Sequence, residues 1–157
     1  MSIGSIRTVF ATASTAVLLC LPIVGGGAEA NRSAQQIEYR QSLYTVLGSN
    51  FGQMAAMVNG KMPYDPERFE TLSKRVAMLA TMLPEAFPAG SDRGARTEAK
   101  PEIWSKPEEF AALMKQLGVE TTKLQNVAGQ RDLASAKPAV AATGKVCKSC
   151  HNKFKTD

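Results

Sequence analysis

Apolar residues in this chain recur at three- and four-residue steps, and no run of alternating β-branched residues reads as a strand. Beyond residue 30 the pattern predicts four helices. The first runs from about Ser33 to Asn59, with Ile37, Arg40, Tyr44, Leu47, Phe51, Met54 and Val58 on one stripe. The second opens at Asp65-Pro66-Glu67, an N-cap followed by proline at the first helical position. It carries Phe69, Leu72, Val76, Leu79 and Leu83 and ends at Leu83-Pro84. The third begins with Ser105-Lys106-Pro107-Glu108, the spacing of a capping box, and its stripe is Phe110, Leu113, Leu117, Leu124 and Val127. The fourth runs from about Ser135, with Pro138 in its first turn, to Phe154. Between Phe87 and Pro101 the residues turn to Pro, Gly, Ser and charge. A loop of that length is a candidate for function, here the covering of a cofactor edge.

Four such helices with short or moderate links predict an all-α fold, an antiparallel up-down-up-down four-helix bundle with cofactor sites between facing helices. No internal repeat is present, and the alanines around position 140 are the one biased tract.

The first thirty residues read differently. Arg7 precedes an apolar run from Thr8 to Val24, then Gly25-Gly26-Gly27 and Ala28-Glu29-Ala30. A positive start, a short hydrophobic stretch and a small-x-small site have the layout of a secretory signal, with cleavage expected after Ala30. The run is shorter than the ~20 residues a spanning helix needs, so no stable membrane anchor is expected. Lipid attachment at Cys20 is disfavoured by the bulky Leu19 before it. Residues 31–157 then form one domain, exported to the periplasm. That size fits one core but not two.

Removing the signal takes away one cation and one anion, Arg7 and Glu29, so the net charge stays at +5. The bland reading of that excess is a solvated surface; the functional one is steering toward an acidic redox partner. The basic residues are scattered, and only three tyrosines and one tryptophan could stack on bases, which argues against nucleic acid.

The chemistry lies near the C-terminus, in Cys147-Lys148-Ser149-Cys150-His151. Two thiols at i, i+3 with histidine directly after the second form the attachment signature for c-type haem. On a helix, 147, 150 and 151 share one face, giving two tethers to the haem vinyl groups and one axial ligand to iron. A structural zinc site wants four Cys or His ligands, and the chain has three cysteines and one histidine. A thioredoxin-type redox pair wants a strand before it, and the alanine-rich segment from Pro138 to Lys145 reads as helix. A colourless helical protein with a Cys147–Cys150 disulfide is the remaining non-haem reading. The single histidine rules out bis-histidine ligation within one chain.

The C-terminal motif, together with Tyr39-Arg40-Gln41-Ser42, the Pro63-Tyr64-Asp65 turn and Pro101-Glu102-Ile103-Trp104-Ser105, resembles the class II cytochromes c. More narrowly, these residues resemble cytochrome c′, along the whole of residues 31–157. The resemblance implies that Tyr44 faces the distal side of the iron, where low-spin relatives place a ligating methionine. It implies a five-coordinate, high-spin iron. It also implies that Arg40 approaches a haem propionate, where the alternative is a side chain snorkelling to solvent. Gln41, Thr97 and Glu98 would line the haem edge. Lys155 stands where the family more often has arginine near the proximal face, a point charge in place of a planar fork.

The resemblance therefore implies an electron-transfer haem protein that binds the diatomic gases NO and CO. Peroxidase chemistry lacks a distal base, so an enzyme is not expected. The alternative is a low-spin His/Met electron carrier, with Met54 the nearest methionine by helical phase. A homodimer through the first two helices is a further expectation, resting on Leu43, Met57 and Met78 as exposed apolar residues.

Overall fold

The computed structural model describes residues 26–156. Four long helices build it: α1 (Gly26–Val58), α2 (Pro66–Met82), α4 (Pro107–Ala128) and α5 (Leu133–Phe154), with a 3₁₀ turn at Pro84–Ala86 and a short α3 (Glu102–Ser105) between the second and third long ones. α1 packs on α2, α2 on α4 and α4 on α5, and α5 closes the ring against α1 more sparsely. This is the up-down-up-down bundle, and the sparse seam between α1 and α5 is where a cavity opens. Among the described residues no helix is long and apolar enough to cross a membrane. The secretory signal expected over residues 1–30 lies for the most part outside the described residues.

Local chemistry sets most helix ends where the sequence places them. The Asp65 carboxylate accepts from the Glu67 and Arg68 N–H groups at 3.1 and 3.0 Å, capping α2. Three details differ from expectation. Ser105 does not cap the third long helix. Proline at 107 bars Lys106 from the helical region, so the break falls at Lys106 (φ −128°), and Ser105 instead closes α3 through its N–H to Pro101 O. The last helix begins at Leu133, earlier than expected, because Asp132 caps it by accepting from Ser135 N at 2.7 Å. Pro138 therefore sits inside the helix rather than in its first turn, and the carbonyl it strands belongs to exposed Ala134, within reach of water. α1 starts ahead of Ser33, since Ala28-Glu29-Ala30 and the following residues offer nothing to break it.

Met54, Phe69, Leu83 and Leu124 are completely buried and anchor the core. Leu43 and Met57, expected on an outer face, are buried in that core as well, because α1 turns more of its circumference inward than a single stripe allows. Only Met78, 68% exposed, keeps the place given to it, so the homodimer loses two of its three supporting residues.

The segment from Phe87 to Pro101 is fastened at both ends. Ser33 Oγ donates to Gly90 O at 2.9 Å, and at Gly94 (φ +104°) a Cβ would come within 2.9 Å of Ser33 Cβ. Glycine is required there both for the backbone angle and for the close approach. At the other end Ala99 pairs antiparallel with Lys155, Lys100 N donates to Phe154 O at 2.9 Å, and Thr156 N donates to Glu98 O at 2.8 Å. The long loop is thus a strap tied from α1 to the end of α5.

Candidate functional site

Cys147, Cys150 and His151, from one turn of α5, line a cavity of about 760 Å³. Its wall is mostly apolar: Leu47 and Phe51 from α1, Val76 from α2, Phe110, Leu113, Met114 and Leu117 from α4, Val146 and Phe154 from α5. Polar groups gather around the strap. Arg40, Gln41, Arg96, Thr97, Glu98 and Lys155 all line the cavity near residues 96–99. Every expected site residue therefore meets in one place.

Both thiols are free, and burial pushes them up, Cys150 to about 11. That favours S–H, the form that adds across a vinyl double bond to leave a thioether. The His151 imidazole is held below its ordinary value, first by burial and then by the Lys155 charge. Both favour the neutral ring, whose lone pair a metal needs. Lys155 lies close by construction: its N–H donates to His151 O at 3.0 Å, while its ammonium meets Glu98 Oε2 at 3.0 Å. Glu98 thus holds the residue that stands in for the family's arginine.

Arg40 does not snorkel. Its side chain is 3% exposed, and four of its five N–H groups are engaged, three on the strap and one on Ala86 just before it. Nη1 donates to Ala86 O and Ser91 Oγ, both at 3.1 Å; Nη2 donates to Ser91 O at 3.0 Å and Thr97 Oγ1 at 2.9 Å. The guanidinium also lies 4.9 Å from the Phe87 ring centroid and 5.8 Å from that of Trp104. No carboxylate balances this buried cation among the described residues. Gln41 Nε2 donates to Arg96 O at 3.0 Å, so two neighbouring α1 residues hold the strap.

Tyr44 lines the cavity from α1 and meets Phe87 edge-on at 6.2 Å between centroids. Burial pushes its phenol far above the ordinary value, so it remains a hydrogen-bond donor throughout the physiological range. Met54, the expected alternative ligand, is wholly buried among core residues and does not line the cavity; the helical phase that carries it inward turns it toward the bundle core. The methionine that reaches the cavity is Met114 on α4.

Phe87 escaped the sequence reading because it sits in the loop, outside any periodic stripe. It links the site: its ring packs on Phe110 at 4.8 Å, which packs on Phe154 at 5.4 Å. Trp104 fixes it from behind, donating Nε1–H to Pro88 O at 3.0 Å and, more weakly, to Phe87 O. An aromatic at the start of a loop rich in Pro and Gly was the one available signal.

The cavity fits a haem. A porphyrin is a broad apolar disc with two carboxylates on one edge, and the wall is apolar with its cations and amides gathered at the strap. Two thiols and an imidazole on one helix face supply the covalent tethers and a metal ligand. Fold and site together define a c-type cytochrome built on a four-helix bundle.

Comparison with known proteins makes the class narrower. A family model described as Cytochrome C' matches residues 35–155. Cytochrome c′ of Rubrivivax gelatinosus is 41% identical over 122 residues, 76% of this chain and 92% of the relative. The crystal structure of that relative superimposes with a TM-score of 0.76 at 39% identity, covering 79% of this chain and 97% of its own. A ferrous variant of cytochrome c′ from Alcaligenes xylosoxidans with bound NO matches with a TM-score of 0.73 at 30% identity, covering 80% and 96%. A carbon monoxide complex of another variant of that protein gives 0.73 at 29%, covering 80% and 97%. The chain belongs to the cytochrome c′ family. It carries haem c bound covalently through Cys147 and Cys150.

Proposed function

We propose that this chain is an exported, periplasmic electron-transfer cytochrome with a five-coordinate, high-spin iron that binds NO and CO at its free axial position. In this reading residues 1–30 are the signal and residues 31–157 the haem domain. His151 is the axial ligand, Tyr44 stands on the distal side, and Gln41, Thr97 and Glu98 border the haem edge. Arg40 supplies the buried positive charge toward the propionates, its one remaining N–H being Nε. When bound, the haem supplies an iron that cycles between ferric and ferrous and takes a diatomic ligand.

The observation that carries this is the cavity wall itself. Away from the CxxCH turn and the polar groups at the strap it is apolar, and Tyr44 lines it from α1, which supports a distal place for this residue. Tyr44 narrows the space by bulk, and its protonated hydroxyl can donate to a bound ligand. The NO and CO complexes of the Alcaligenes relatives support the same use of the site.

Optical spectra of the purified protein, oxidised and dithionite-reduced, before and after carbon monoxide, test the proposal. A broad reduced visible band that sharpens with carbon monoxide is expected. Narrow split bands insensitive to carbon monoxide would mean a sixth protein ligand, and the low-spin carrier would replace this reading. Replacing Tyr44 by alanine is expected to speed carbon monoxide association about tenfold, equivalent to about 1.4 kcal/mol of barrier. An unchanged rate in flash photolysis would end the gating role of Tyr44.

A further inference from the structure

Phe87 stands where two hollows meet. Its ring lines the haem cavity, and it also lines a groove of about 530 Å³ between α2, α3 and α4. Ile103, Phe110 and Met114 line both as well, so one layer of side chains separates the two. The groove is at the surface, where Pro84, Ala111 and Lys115 on its rim are exposed. Phe87 follows the 3₁₀ turn with φ −124° and ψ 50°, outside any helix, so no helical ladder fixes its backbone. Its position depends on what its side chain touches.

Four groups surround the ring. The Arg40 guanidinium lies 4.9 Å from its centroid, and the Phe110, Tyr44 and Trp104 centroids lie at 4.8, 6.2 and 6.3 Å. Arg40, Phe110 and Tyr44 line the haem cavity themselves; Trp104 lines only the groove. Trp104 stands on α3, a single turn closed by Ile103 N to Lys100 O at 3.1 Å and Lys106 N to Glu102 O at 2.8 Å. From that fixed turn its indole N–H reaches back 16 residues to Pro88 O at 3.0 Å. The indole therefore holds both the backbone just after Phe87 and the side of the ring that faces the groove. Without it Phe87 has space to move outward, and the wall it forms edge-on with Tyr44 widens.

From this we infer that Trp104 is a positioning residue for gas binding: acting through Phe87, it fixes the wall beside Tyr44 and so limits how fast a diatomic ligand enters. The inference rests on the gas-binding reading above. A buried aromatic also contributes to stability wherever it lies, and the two roles separate by measurement.

The test is carbon monoxide association, followed by flash photolysis on the haem-loaded protein. Trp104→Leu is expected to speed association about tenfold, the scale of one aromatic contact expressed as a barrier. Trp104→Phe keeps a ring but loses the N–H donor and should give a gain of about threefold. It decides the question if the leucine variant does not fold. Phe87→Leu should match or exceed Trp104→Leu. Adding Trp104→Leu to it should bring no further gain, since the ring through which Trp104 acts is gone. The C–O stretching band should broaden in Trp104→Leu, because a loosened ring gives the ligand several surroundings. Leu124→Val, fully buried in the core and away from the cavity, should lower the unfolding midpoint and leave the rate unchanged. An unchanged rate in the Trp104 variants would overturn the inference. So would an equal gain from Leu124→Val, which would make general loosening of the bundle the cause, or an undiminished gain from Trp104→Leu in the Phe87→Leu background. A wild type that binds no carbon monoxide would overturn the gas-binding reading itself, and this inference with it.

Discussion

Arg40→Met is expected to lower the unfolding free energy by about 3 kcal/mol, several times the cost of a typical single hydrogen bond. The buried guanidinium makes four hydrogen bonds to Ala86, Ser91 and Thr97 and packs against two aromatic rings. Methionine keeps the apolar stem in place but strands the Ala86 and Ser91 carbonyls and the Thr97 hydroxyl. Each lost partner costs on the order of 1–3 kcal/mol, offset by no longer burying a charge. Burial already lowers the affinity of Arg40 for its proton, which is the sign of that opposing cost. Denaturant unfolding should show a lower midpoint at unchanged slope, with a thermal shift of about 10 °C. Arg40→Lys keeps the charge but not the fork, so most of the loss should remain. A change below ~0.5 kcal/mol, the range of ordinary surface substitutions, would mean the strap is held without Arg40.

The second large effect concerns the tethers. With Cys147→Ser and Cys150→Ser together, acidified organic solvent should extract all the haem from denatured protein, whereas none should leave the wild type. Each single variant keeps one thioether and should hold its haem through that bond alone. His151→Ala separates tether from ligand: the haem should stay covalently attached while the reduced spectrum loses its imidazole signature. Haem released freely from the wild type would remove the covalent assignment altogether.

Cys147, Cys150 and His151 were legible because their chemistry depends on spacing along one helix, and helical spacing is a local property. Tyr44 and Arg40 were legible as members of an inward stripe, although not what each would touch. Leu43 and Met57 were misplaced for a geometric reason: a helix packed against two neighbours buries a wider arc than one stripe. Met54 and Met114 changed places as the cavity's methionine because helical phase says which way a residue faces within its own helix. It does not say whether a core or a cavity lies there. Ser105 failed as a cap because Pro107 moved the break one residue on, a competition between two local rules.

What the amino-acid sequence determined by itself was the covalent chemistry, the helical class and the approximate span of each long helix. All three follow from contacts between residues a few positions apart. What only the tertiary structure decided was the use of residues 86–100. No periodicity places Phe87 against Phe110, ties Thr97 to Arg40 or pairs Glu98 with Lys155, since these contacts join residues about 25 to 60 positions apart and exist only once the bundle has closed. The haem site is therefore written in one turn of α5, and its surroundings are written in the packing of the strap across the seam.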